Sequence, residues 1–422
     1  VNDFDAVDFF TDPSLVPDPH PYFDYLRAQG PVVREPHQGV VAVTGYDEAM
    51  ALYKDSDGFS SCIAVGGPFP PLPFEPTGDD ISGQIEQHRT HLPLHEHMVT
   101  MDPPEHTRAR SVLSRLLTPA RLKENQDFLW NLADQQLDEF IERGECEFLT
   151  AYSKPYSLLA VANLLGVPEG DHAEFRAVFD NSHTVGNLEH DPAAINPLDF
   201  LDEKFSFYIE DRRRRPRGDV LSDLAAAKYP DGSTPEVVDV VRTATFLFGA
   251  GQETTAKLLG AALQILGDRP ELQQALRDDH GLIPAFIEET LRMESPVKTT
   301  YRLARRPTCL GGVDIPAGTK VMVAPGAINR DPRRFGDPHE FRLDRTNVRE
   351  HIAFARGVHT CPGAPLARVE GRVSLERILD RMGDIRINED NHGPADNRRY
   401  RYETSYILRG LTELHIRFTP IK

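Results

Sequence analysis

The chain has 422 residues, 40% of them hydrophobic, enough for one large core or for two or three ordinary domains. Its 65 acidic and 47 basic side chains leave a net charge of −18, which argues against nucleic acid as the main partner, since phosphate binding needs clustered positive charge. Cys62, Cys146, Cys309 and Cys361 show no short spacing, so no disulfide framework is expected and a reducing cytoplasm fits. No apolar run approaches the roughly 18 residues of a membrane span, and "VNDFDAVDFF" lacks the basic-then-apolar pattern of a leader.

In chain order, residues 20–35 read as a helix and then a strand, and "GVVAVTGY" (39–46) as a strand and turn. Residues 63–105 are rich in proline and glycine and read as one long irregular loop, a candidate lid. From about 104 to 300 the pattern is helical almost throughout. Its clearest stretch is 233–266, with Ser233 or Thr234 as cap and Pro235 in the first turn. A helix that long and apolar has to pass through the centre of the molecule. The basic run Arg212–Arg215 with Arg217 reads as a solvated helix end. Strand signals return at 309–323, and 405–418 reads as a second hairpin. The fold class expected is mostly α with small β-sheets, in one large domain.

"FARGVHTCPGAP" (354–365) carries the chemistry. Gly357 and Gly363 permit tight turning and close approach to a flat ligand. Cys361 sits just before a strong helix, where backbone N–H groups favour a negative sulfur. A lone thiolate suits a metal whose other ligands come from elsewhere, such as haem. Phe354, Gly357, Cys361 and Gly363 spell F-x-x-G-x-x-x-C-x-G. This resembles the haem-ligand loop of the cytochromes P-450, the haem-thiolate monooxygenases.

The resemblance runs from about residue 20 to the C-terminus. It makes 1–19 an N-terminal extension and 63–105 the loop between the family's B and C helices. It implies the single triangular P-450 domain, with haem b held by the axial thiolate of Cys361. "AGQETT" resembles the family's oxygen-binding groove, where Ala250 and Gly251 lie against the haem and the helix opens. Thr254 would then hydrogen-bond bound oxygen, and Glu253 would relay protons. By residue type alone, the same glycines and threonines equally suit close helix packing with hydroxyls bonded back one turn. Glu289 and Arg292, an exposed-helix pair by spacing alone, match the family's buried E-x-x-R. Its third partner is expected near "DPHEFRLDR", with His339 as substitute because Glu340 stands where arginine is common.

The resemblance also assigns His106, Arg110, Arg302 and His359 to the haem propionates. It assigns Phe246, Gly249, Ala250, Val297 and the tip near Tyr406 and Ile407 to the substrate pocket. Lys298 is expected to face solvent. His88, His91, His95 and His97 are read as part of the lid rather than a zinc site. The implied partners are O2, a small hydrophobic substrate (terpenoid, steroid, fatty acid or aromatic), and a ferredoxin with its NAD(P)H-dependent reductase. Arg108, Arg115 and Arg356 are candidates for the basic docking face. Two rivals are a peroxide-using haem-thiolate enzyme and a non-catalytic haem-based ligand sensor.

Overall fold

A computed structural model describes residues 4–113, 116–180 and 197–421. Its axis is the helix Val237–Asp268, whose 32 residues span about 48 Å at 1.5 Å per residue. Val240, Val241, Ala244 and Phe248 pack its first half against the helices Lys154–Leu165 and Pro197–Arg214. Leu258, Leu259, Leu263 and Leu266 pack its second half against Phe286, Ile287 and Leu375. Each fully buried leucine contributes on the order of 2 kcal/mol. No described helix is long and apolar enough to cross a membrane.

The helix starts four residues later than the sequence suggests. Ser233 is bonded to Asp231, its N–H at 2.9 Å from Oδ1, and closes a turn instead of capping. Glu236 occupies the cap position without a side-chain bond. The basic run is also not simply solvated. Arg212 is buried and bonds Asp219 at 2.8 Å and Asp211 at 2.6 Å, while Arg213 donates to the carbonyls of Ala225 and Pro235. The long loop is not wholly irregular, because Ser82–His88 forms a helix inside it.

The strands are β1 (Val32–Arg34), β2 (Val41–Val43), β3 (Phe59–Ser60), β4 (Glu145–Glu147), β5 (Thr300–Ala304), β6 (Thr308–Leu310), β7 (Val313–Ile315), β8 (Lys320–Val323), β9 (Met382–Ile387) and β10 (His415–Pro420). One sheet has the order β1-β2-β8-β5-β3, with β2 and β8 parallel and its other pairs antiparallel. β2 is buried at every position, as expected of a strand covered on both faces. The others are β4-β10-β9 and the hairpin β6-β7, which turns at Gly311 and Gly312, both with positive φ. The expected C-terminal hairpin is not formed as such. Tyr402 bridges Leu411, Leu408 bridges Val297, and β10 instead joins β4 and β9.

A buried ion cluster fixes the approach to the cysteine loop. Glu289 and Arg292, on the helix Ile283–Met293, are fully buried and bond at 2.7 and 2.8 Å. The third arm is Arg345, whose Nε lies 3.1 and 3.2 Å from the two Glu289 oxygens. His339 does not fill this role; it lies on the surface, 3.5 Å from Asp24. Burial pushes the Glu289 carboxyl up. Arg292, the Arg342 N–H and Arg345 outweigh that and hold it below the usual carboxylate range. Arg345→Met leaves the cluster one cation short and is expected to destabilise the fold by about 3 kcal/mol, measured by urea denaturation.

Lys298 does not face solvent. It is 4% exposed, with Nζ 5.8 Å from the Phe9 ring and no ion-pair partner among the described residues. Burial, and then the charge of Arg409, push its pKa down to about 7. A lysine depressed on folding binds fewer protons in the native than in the unfolded chain. Its contribution is therefore complete above about pH 10.4 and is lost as pH falls towards 7. Lys298→Met is expected to stabilise the protein by about 2–4 kcal/mol at pH 7, and by less at pH 9, in matched denaturation curves.

Candidate active site

The cysteine loop is shaped by backbone constraints. Gly357 has φ +70°, and a Cβ there would lie 2.3 Å from the carbonyl oxygen of Tyr53, so no other residue fits. The Cys361 N–H donates to the Phe354 carbonyl at 2.8 Å, closing the loop, and Arg368 lies 4.7 Å over the Phe354 ring. The helix Ala364–Arg381 follows at once. A Cβ on Gly363 would meet only the Cys361 sulfur, at 3.8 Å, so the space beside the thiol is open to a flat ligand.

Burial raises the Cys361 thiol pKa. The N–H of Gly363, Arg110, the N–H of Ala364 and Arg368 act the other way without reversing it. The helix start alone therefore does not make the thiolate. A metal ion would, because a coordinating thiol is deprotonated outright.

Beside the loop lies a cluster of basic groups. The His106 and His359 rings pack at an interplanar angle of 44°, with centroids 4.0 Å apart. His106 is buried, and among the described residues neither ring nitrogen has a hydrogen-bond partner. Burial and Arg110 are the largest causes that push His106 down to about 4. Burial, Arg302, His106 and Arg110 push His359 down to about 2. Ser61 Oγ is 2.9 Å from His359 Nε2, and Arg302 is buried. The charge of Asp102 reaches His106 and Arg302. Its oxygens, however, are already bonded by Ser60, the Ser61 N–H, Arg89 and Arg305. Orphaned imidazole nitrogens among depressed basic groups fit the carboxylates of a haem, with Cys361 as the thiolate on its iron.

The central helix supplies the other wall. Residues 240–245 are buried except Arg242, and residues 255–260 are buried throughout, but 249–254 are at least partly exposed. This window contains Gly249, Ala250, Gly251, Glu253 and Thr254, and Phe246 one turn earlier is half-buried. The helix does not break there. Thr254 Oγ1 donates to the Ala250 carbonyl at 2.9 Å, and a Cβ on Gly251 would press on Val161 at 3.0 Å. Both features follow the close-packing reading of these residues. Ser157 donates to the Gln252 carbonyl at 2.6 Å and so draws one peptide of the window toward the neighbouring helix.

Val297 is half-buried, and Ile407 is buried in a cluster with Tyr301 and Tyr406. His97 is buried and its ring packs tilted against Phe246, with centroids 5.6 Å apart, while His88 packs on Phe74. Arg356 bonds the carbonyls of Arg349 and His351, and Arg108 lies over the Tyr229 ring and 3.8 Å from Asp231. Arg115 lies outside the described residues. Three participants had no usable sequence signal. Arg345 lies 56 residues from Glu289; Glu288 binds His351 and Arg368 beside the cysteine loop; Lys257 lies between Glu253 and Glu403.

A family model described as Cytochrome P450 matches residues 189–383. Cytochrome P450 144 of Mycobacterium tuberculosis is 34% identical over 393 residues, covering 90% of this chain and 86% of that protein. The cytochrome P450 monooxygenase PikC of Streptomyces venezuelae is 32% identical over 408 residues, 95% of this chain and 91% of that protein. The substrate-free structure of Mycobacterium marinum CYP150A6 superposes with a TM-score of 0.94 at 69% identity, covering 99% of this chain and 100% of that one. With the cysteine loop, the basic cradle and the helix window in place, these likenesses establish that the chain belongs to the cytochrome P450 family of haem-thiolate monooxygenases.

Proposed function

We propose that this monooxygenase inserts one oxygen atom from O2 into a medium-sized hydrophobic substrate. Its electrons pass from NAD(P)H through a ferredoxin reductase and a ferredoxin. The observation that carries the reading is the partly exposed window at 249–254 in a helix otherwise buried along its central turns. Bound haem supplies oxygen activation at a thiolate-ligated iron. His106, Arg110, Arg302 and His359 hold its propionates by charge-assisted hydrogen bonds.

Phe246, Gly249, Ala250 and Val297 give the substrate an apolar surface and keep water from it. Their small and aromatic side chains favour shape over polar recognition. Glu253 takes protons from solvent, and Thr254 Oγ1 passes them inward once it turns from the Ala250 carbonyl. An acid followed by an alcohol divides one long transfer into two short ones. This pair favours O2 chemistry over a peroxide-driven or sensing role, neither of which needs a relay.

Arg356 is the strongest of the docking candidates. Among the described residues its guanidinium meets carbonyl oxygens and no carboxylate, so its charge stays available, and Val358 beside it is 40% exposed. Arg108 is already compensated in part by Asp231. Charge complementarity with an acidic ferredoxin steers encounter more than it adds affinity.

Titration of the ferric protein with terpenoids, steroids, fatty acids and aromatic acids is expected to give a low- to high-spin Soret shift with one of these classes. No shift from any of them, with the ferric spectrum intact, would reject the hydrophobic-substrate reading. Arg356→Gln, which keeps an amide donor for the loop carbonyls, is expected to slow ferredoxin association several-fold at low salt and to flatten its salt dependence. Stopped-flow reduction at two ionic strengths measures both.

A further inference from the structure

The acid of the proposed relay does not stand alone. Glu253 Oε1 lies 3.1 Å from Lys257 Nζ, and Glu403 Oε2 lies 2.6 Å from the same nitrogen. The lysine side chain is 6% exposed, against 22% and 19% for the two carboxylates. Its stem is clamped, since a Cβ on Gly410 would lie 2.6 Å from Lys257 Cγ. The Glu403 N–H donates to the Gly410 carbonyl at 3.0 Å, so the C-terminal segment supplies both the clamp and the second acid. Burial works against the ammonium, but Glu253 and Glu403 outweigh it and hold its pKa above the usual lysine range.

Glu253 and Lys257 line a narrow cavity of about 90 Å3. Its other charged walls are Glu403, Lys154 at the start of the helix Lys154–Leu165, and Arg176 and Asp180 on the helix His172–Asp180. Lys154 and Asp180 are exposed, so the cavity connects Glu253 to solvent.

We infer that Lys257 and Glu403 are positioning residues that control the release of Glu253 during proton delivery. The inference rests on the relay reading above. Among the described residues that meet at this ammonium, two carboxylates face one cation, one negative charge in excess. When Glu253 takes a proton, Lys257 keeps Glu403 as its ion-pair partner. Glu253 is then free to turn from the lysine toward Thr254 without leaving a buried charge unmatched. Without Glu403, Glu253 is the one acid among the described residues left to match a buried cation and is held in place. Without Lys257, two neighbouring carboxylates face each other and protonation of one is favoured.

The two substitutions therefore act in opposite directions, which a merely structural role would not produce. The test uses the haem-loaded protein and infrared difference spectra across a pH series, with the protonated-carboxyl band of Glu253 assigned by its loss in Glu253→Gln. At a given pH, Glu403→Gln is expected to weaken that band and Lys257→Met to strengthen it. Lys257→Arg, which keeps the charge, should resemble the wild type. In parallel, oxygen consumption driven by a surrogate ferredoxin and its reductase is measured in H2O and D2O. Glu253→Gln is expected to slow it by about tenfold or more, and Glu403→Gln to slow it several-fold with a larger solvent isotope effect.

If Glu253→Gln leaves the rate and isotope effect unchanged, the relay reading falls and takes this inference with it. If Glu253→Gln is slow but Glu403→Gln and Lys257→Met move the band the same way, or not at all, the relay stands and this inference is overturned. Each variant is compared only where its ferric Soret spectrum matches the wild type. Glu403→Asp provides the second acid variant, expected to keep a wild-type band.

Discussion

Glu289 remains an anion in the interior because two guanidiniums and a backbone N–H converge on its two oxygens. The consequence reaches well beyond the pair. Arg292 extends to the carbonyls of Asn329, Pro338 and Glu340, tying the helix Ile283–Met293 to the irregular segment before the cysteine loop. Asn329 passes the restraint on, donating to Ser295 and accepting from the Ile352 N–H at 2.7 Å. The preceding residue, Glu288, holds the other flank. It lies 2.9 Å from His351 Nε2 and 3.0 Å from an Arg368 nitrogen on the helix after the loop. Two consecutive carboxylates on one helix thus suspend the cysteine loop from both sides. Buried ion pairs add little net stability over apolar packing. Their value here is directional, because each fixes an angle that an apolar contact would leave free.

The thiol and the basic cradle share an electrostatic problem with one solution. Burial works against a thiolate at Cys361 and against protonated imidazoles at His106 and His359. An iron ion would remove the first difficulty and, on the function proposed above, a pair of propionates would remove the second. The protein part of the site is thus complete in shape and incomplete in charge. Haem binding and charge satisfaction are then one event, and the free energy of binding adds to that of folding.

What the sequence made legible was local. The central helix, the cysteine loop and the i, i+3 pair of Glu289 and Arg292 each lie within one stretch, so periodicity, glycine placement and a family pattern suffice to find them. Contacts across the chain were not legible. His339 stands nearer in sequence to the expected slot, but only Arg345 reaches Glu289. Composition misled where it averaged over an element. The prolines and glycines of 63–105 concealed the helix Ser82–His88. The charge of Arg212 suggested solvent, although Asp211 and Asp219 permit its burial. For Lys298, no acid among the described residues offsets the charge, and a buried lysine without one is the reverse of the usual pattern.

The window in the central helix joins two readings that the sequence left as alternatives. Gly251 costs a helix interior roughly 1 kcal/mol against alanine, and Thr254 competes for a carbonyl of its own helix. Both costs are offset by packing. The missing Cβ lets Val161 approach, and Ser157 satisfies the Gln252 carbonyl from the neighbouring helix. The helix therefore stays continuous, yet its peptides here share their hydrogen bonds with groups outside the backbone ladder. Such a turn is cheaper to deform than the fully buried turns that follow it at 255–260. Close packing does not compete with the groove proposed at this position; it is what makes a compliant turn possible in the long central helix.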